Sequence, residues 1–139
     1  MKIENPLIPL ADCLWFAILR RMTEANLKQR TKTFALRVLK LAGTLSGHFV
    51  GRRIADQLLR AGTSVAANYR AACRARSTAD FVNKLAVAEE EADESAFWIE
   101  LLIDGGVVPK RRVENLLSEA EQLTAILVAS RRTAKGRGD

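Results

Sequence analysis

QLLRAGTSVAANYRAACR, Gln57 to Arg74, decides the fold. Most of its residues favour a helix, yet Gly62, Thr63 and Ser64 stand in the middle, where glycine is worse than alanine by about 1 kcal/mol. Around this stretch Ile54, Leu58, Ala61, Val65, Asn68 and Ala72 step alternately by four and three, which keeps one face in register along a helix. Beside that seam lies a row of mostly small side chains, Ala55, Leu59, Gly62, Ala66, Tyr69 and Cys73. Opposite the seam run Arg53, Asp56, Arg60, Thr63, Ala67, Arg70 and Arg74, a stripe that is mostly cationic. Small side chains let another helix backbone come close, so Gly62 exchanges propensity for packing contact. A bundle helix needs one broad apolar face, and the second row therefore points to a subunit interface through Ala55, Leu59, Gly62, Ala66 and Tyr69. The alternative is that both faces are used inside one monomer. Asn68, polar on the seam, is expected to act as a buried register device, and Thr63 and Ser64 to bond back to helix carbonyls or line a helix contact.

Three further segments repeat the rhythm. Leu27, Thr31, Phe34, Val38, Leu41 and Leu45 precede the turn residues Ser46, Gly47, His48 and Gly51. Phe81, Leu85, Ala88, Ala92, Ser95, Ile99 and Leu102 follow Ser77, an N-cap candidate with Asp80 three residues on. After Asp104-Gly105-Gly106 and Pro109, suited to a first helical turn, come Val113, Leu116, Ala120, Leu123 and Leu127. Alternating three- and four-residue steps mark helices packed nearly along one another, and short connections make sequence neighbours antiparallel. The expected fold is all-α, an up-down-up-down antiparallel four-helix bundle over residues 22–131. Residues 1–21 are read as an N-terminal extension ahead of a second candidate start at Met22, and residues 132–139 as a basic flexible tail.

The 139 residues, 48% of them hydrophobic, suit one domain with a single core. Leu10 to Leu19 is apolar but shorter than the roughly 20 residues that span a bilayer, and its positive charges, Arg20 and Arg21, follow rather than precede it, unlike a secretory signal. Cys13 and Cys73 match no metal-ligand spacing and read as reduced thiols, which points to the cytoplasm. The acidic run Glu89, Glu90, Glu91, Asp93 and Glu94 invites comparison with di-iron bundles, but those need Glu-x-x-His pairs, and the lone histidine, His48, has no glutamate three residues before it. Neither Ser64 nor Cys73 has a histidine partner in the pattern. No catalytic residue, metal site, cofactor or membrane contact is expected of the bundle, and Trp98 is assigned to core or interface.

The stretch QLLRAGTSVAANYRAA, followed by STADFVNKLAVAEEEADESAFWIELL, closely resembles the four-helix-bundle family named for proteins encoded in intervening sequences of 23S rRNA genes. The residues that carry the resemblance are Gln57, Arg60, Thr63, Ser64, Ala67 and Asn68, then Ser77, Asp80 and Phe81, and finally Trp98 and Leu102, within a match from about Leu27 to Leu127. Ala72 departs from the pattern, since many relatives carry glutamate there. The resemblance implies a bundle commonly assembled as a homopentamer. It also implies kinship with the accessory variability determinant of diversity-generating retroelements, a basic pentamer that binds nucleic acid and a reverse transcriptase.

Charge supplies a separate clue. Arg20 to Arg76 holds thirteen Lys or Arg against two acids (13 − 2 = +11), whereas Thr78 to Asp104 holds one lysine against eight acids (1 − 8 = −7). Arg30, Thr33, Arg37 and Lys40 share a face of the first helix, which would lie beside the second-helix stripe if the two helices are neighbours. Clustered guanidinium groups bind phosphate by charge-assisted, often bidentate hydrogen bonds. The expected nucleic-acid contacts are therefore Arg30, Arg37, Lys40, Arg53, Arg60, Arg70 and Arg74, gripping RNA or DNA through the backbone. The competing reading is a protein scaffold in which the basic stripe of one subunit meets the acidic helix of the next.

Overall fold

In a computed structural model, backbone is described for residues 9–136 and side chains from Glu24 to Gly136. The alternating spacing becomes four helices in sequence order: α1 (Pro9–Thr44), α2 (Phe49–Ala72), α3 (Thr78–Asp104) and α4 (Lys110–Gly136). Each helix packs against its neighbour in sequence, α1 and α4 approach each other least, and α1 and α3 lie diagonally with no close approach. The chain is thus an antiparallel four-helix bundle whose fourth seam is its sparsest.

The core is built from the seams. Phe34, Val38, Leu58, Val65, Leu85, Ile99, Leu102, Leu123 and Leu127 are sealed from solvent, and Thr31 and Ser95 are buried with them. Both hydroxyls stay satisfied within their own helices, Thr31 donating to the Lys28 carbonyl and Ser95 to that of Glu91. Ile54, Asn68 and Phe81 lie at the margin, half-buried. Asn68 differs from its expected role, because its Nδ2 donates to the Ser64 carbonyl of its own helix at 2.8 Å and so ties no helix to another. Thr63 does bond backward, to the Leu59 carbonyl at 2.7 Å.

The small-residue row of α2 is also corrected. A Cβ placed on Gly62 would stand 2.8 and 2.9 Å from the two γ carbons of Val38, so α1 of the same chain lies against that glycine. Ala55, Gly62 and Tyr69 are buried within the subunit, and Leu59 and Ala66 are half-covered. Ala55, Gly62 and Tyr69 are thus covered by their own chain and leave no surface for a second subunit, with Gly62 packed on α1, whereas Leu59 and Ala66 keep part of theirs open.

Helix ends follow their local chemistry. Ser77 is extended and its Oγ accepts from the Asp80 N–H at 3.1 Å, while the Asp80 carboxylate accepts from the Arg76 N–H, a near relative of the capping box. Gly106, at φ 70°, makes the left-handed turn out of α3 that glycine adopts without strain. Gly51, read from sequence as a turn residue, lies inside the first turn of α2, where its N–H donates to Nδ1 of His48 at 2.9 Å. An imidazole therefore caps α2. His48→Ala is expected to lower unfolding stability by about 1 kcal/mol, and His48→Asp to preserve it, because a carboxylate accepts the same bond at the helix's positive end. Urea denaturation of the two variants checks this.

The helix ends differ from the expected boundaries in one place, the end of α4. Helix α1 is one helix from Pro9, with no backbone break at Met22, and α4 stays helical to Gly136 with Ala134 buried, so the segment from Arg132 to Gly136 is not a loose tail. Residues 1–8 and 137–139, and the side chains of Leu14, Trp15, Phe16, Ile18 and Leu19, lie outside the described residues.

Candidate nucleic-acid interface

The position of each cation depends on which flank of its helix it occupies. Arg30 lies on the α4 flank of α1, where its guanidinium donates to both carboxylate oxygens of Glu119 and, at 2.9 Å, to Gln122. Arg60 lies on the α3 flank of α2 and bridges Glu91 at 3.2 Å and Glu94 at 2.6 Å. The Trp98 Nε1–H also donates to Glu94, at 3.1 Å. Arg60 first, and then Trp98, hold the Glu94 carboxyl below the usual carboxylate range. A lowered folded-state value means that this contribution is present above the carboxyl's ordinary pKa and fades as pH falls through the folded one. On the opposite flank of α3, Glu89 accepts from Arg131 of α4 at 2.7 Å. Three of the eight acids between Thr78 and Asp104 are therefore neutralised inside the subunit, by the two helices on either side.

These pairings correct the single basic wall expected from sequence. The cationic face of α1 turns toward α4 and that of α2 toward α3, so the two stripes do not adjoin. Arg30 and Arg60 are already held by carboxylates. Arg53 lies near the start of α2 with its guanidinium 5.5 Å from the centre of the Phe49 ring.

The remaining four candidates fall into two separate concavities. Arg70 and Arg74 line an open hollow of about 680 Å³ over Ala67 and Ala71, together with Arg76, Lys84 and Asp80. Arg70, Arg74 and Arg76 are exposed. Arg70 sits in the last turn of α2, where a cation suits the helix's negative end. The one carboxylate present, Asp80, is engaged by Lys84 at 2.5 Å and by the Arg76 backbone. Those two contacts, Lys84 first, hold its carboxyl below the usual range. The second hollow lies between α1 and α4, where Arg37, Lys40 and Arg112 surround Leu41, Val113 and Leu116. The hollows occupy opposite seams and opposite ends of the bundle.

Sequence reasoning left out Arg76, Lys84 and Arg112. The signal for the first two was present, since Arg76, Asp80 and Lys84 recur every four residues across the start of α3. Cys73 is a free thiol, half-buried, and burial pushes it up. Among the described residues, no group of three or more His, Cys, Asp or Glu is placed to hold a metal, and no helix is long and apolar enough to cross a membrane.

The crystal structure of a protein with unknown function from the S23 ribosomal protein family, from Bacteroides thetaiotaomicron VPI-5482, superposes with a TM-score of 0.70 and 34% identity, covering 74% of this chain and 95% of that one. No curated protein matches. Residues 23–129, which take in the described core from Leu27 to Leu127 and the hollow at the end of α2, match the family described as 23S rRNA-intervening sequence protein, and the chain belongs to that family.

Proposed function

We propose that the protein binds nucleic acid through backbone phosphates at the α2/α3 hollow, without catalysing a reaction on it. The observation that carries this reading is the convergence of Arg70, Arg74 and Arg76 on one concave surface whose single carboxylate is already engaged by Lys84 and the backbone. Exposed guanidiniums around a hollow offer bidentate donors to phosphate at little desolvation cost. Small alanines at the floor let a sugar–phosphate chain approach. The family's name associates its members with 23S rRNA genes, which makes RNA the first polyanion to test, beside DNA of the same length.

Three phosphate contacts correspond to a log–log salt slope of about −2.7 on duplex, or about a 40-fold loss of affinity between roughly 50 and 200 mM salt. Fluorescence anisotropy with unrelated RNA and DNA oligomers measures the slope. An affinity that stays flat over that interval overturns the reading.

A second reading, a protein-only scaffold, is favoured by one specific observation: Arg30 and Arg60 are spent on carboxylates of their own chain. Under it, neither oligomer binds at low salt.

A further inference from the structure

The end of the bundle where α2 and α4 begin and α1 and α3 finish departs from the rules that shape the rest of it. A Cβ on Gly51 would stand 3.0 Å from Cγ1 of Val107, so the start of α2 and the α3–α4 turn lie side by side. Phe49 and Val50 open α2 with 70% and 51% of their surface exposed, and Phe49 is the most exposed large apolar side chain among the described residues. Cα–Cβ bonds tilt toward a helix's N-terminus, so both side chains are thrown toward the end of the bundle rather than down its flank.

Charge is anomalous at the same place. A helix start favours acids and disfavours cations, yet neither α2 nor α4 carries an acid in its first turn, and α4 begins with Lys110, Arg111 and Arg112, all exposed. With Arg52 in the first turn of α2 and Asp104 closing α3, the terminal turns of the four helices at this end sum to +3 (4 − 1). Among the described residues, none of these four cations is held in an ion pair. The cations oppose the helix they begin, and the apolar pair covers no core, so neither is explained by folding.

We infer that this end of the bundle docks on an anionic lipid surface, with Phe49 and Val50 entering the headgroup region and Arg52, Lys110 and Arg111 meeting lipid phosphates. Two observations commit the occupant to lipid. Apolar side chains and cations stand together, the two signals that jointly hold a protein on an anionic bilayer, whereas a nucleic acid backbone would be served by the cations alone. The surface is also small. Helices packed about 10 Å apart leave a bundle end roughly 20 Å across, or about 400 Å², half of the roughly 800 Å² that each partner contributes to a standard protein interface. A fluid lipid surface demands no matching shape.

The expectation of no membrane contact rested on signals for spanning and secretion. No described helix is long and apolar enough to cross a membrane, and the contact inferred here is with the surface only. Arg70, Arg74 and Arg76 lie at the opposite end of α2, so this contact stands apart from the nucleic-acid reading.

Co-sedimentation with vesicles of phosphatidylcholine alone, and with about 30% phosphatidylserine added, tests it. The parent is expected to bind the anionic vesicles and leave the neutral ones. Phe49→Ser with Val50→Ser keeps the charge and should lower affinity at least about tenfold. Lys110→Ala with Arg111→Ala should lower it about 30-fold, while the equal charge change at the far end, Arg70→Ala with Arg74→Ala, leaves it within about twofold, being well beyond a Debye length. Phe49→Trp should be quenched by brominated acyl chains beyond the level of the parent, whose tryptophans are Trp15 and Trp98. Circular dichroism verifies that every variant stays helical. No binding to anionic vesicles, unchanged binding by the double serine variant, equal losses from the two alanine pairs, or an unquenched tryptophan at position 49 each overturn the inference. Polyglutamate that binds this end where vesicles do not assigns it to an acidic protein instead.

Discussion

Gly62→Leu is expected to lower the unfolding free energy of the bundle by about 3 kcal/mol, the upper part of the range for over-packing a well-filled core. A Cβ at this position already falls 2.8–3.1 Å from Cγ2, Cγ1 and Cβ of Val38, and Gly62 and Val38 are both buried. A β-branched side chain on a helix has one strongly preferred rotamer, so Val38 cannot swing aside and the α1 backbone has to move. Val38→Ala in the same chain removes the two clashing γ methyls, leaving Cβ in place, and is expected to recover part of the loss. The double-mutant cycle between the two positions should therefore show strong coupling. Gly43 is the control, since nothing lies within 4 Å of a Cβ there. Gly43→Ala keeps only the propensity gain, up to about 1 kcal/mol. Urea titration followed by circular dichroism measures the four proteins of the cycle and the Gly43→Ala control, and a Gly62→Leu variant as stable as the parent contradicts the close approach of α1.

Reversing Arg70 and Arg74 together to glutamate is expected to weaken RNA binding about 100-fold or more, because each reversal removes a charge-assisted bond of about 1.5–3 kcal/mol and adds repulsion. Both side chains are exposed and form no ion pair within the chain's described residues, so helicity should be unchanged. The informative comparison is Arg30→Ala or Arg60→Ala. These positions looked equivalent to Arg70 in the sequence, yet their guanidiniums are held by Glu119 and by Glu91 with Glu94, and their loss should leave affinity within about twofold of the parent. Equal losses from all four sites indicate a diffuse field rather than a hollow.

The core was legible because four-three spacing is a property of each helix by itself: every seam residue of the first and fourth segments is buried as the spacing requires. The same locality explains what was missed. Spacing places Arg30, Arg37 and Lys40 on one face of α1 but does not say whether that face looks toward α2 or α4, which depends on the sense in which the helices are arranged around the core. Likewise, the row through Gly62 announces a close neighbour without naming it, and α1 of the same chain takes the place assigned to another subunit. The acidic residues of α3 divide between two flanks for the same reason, some joining Arg60 and Arg131, and others left facing solvent.

The sparse seam between α1 and α4 sets an order of failure. Over its described length, α1 is fastened broadly along α2 and more sparsely along α4, where one guanidinium straddles Glu119 and Gln122. Thermal fluctuation finds the cheapest opening in such an asymmetry. Peeling α1 away about the turn at Leu45–His48 sacrifices one broad interface and one sparse one and leaves the other three helices clasped, so the bundle has a built-in first step of partial unfolding.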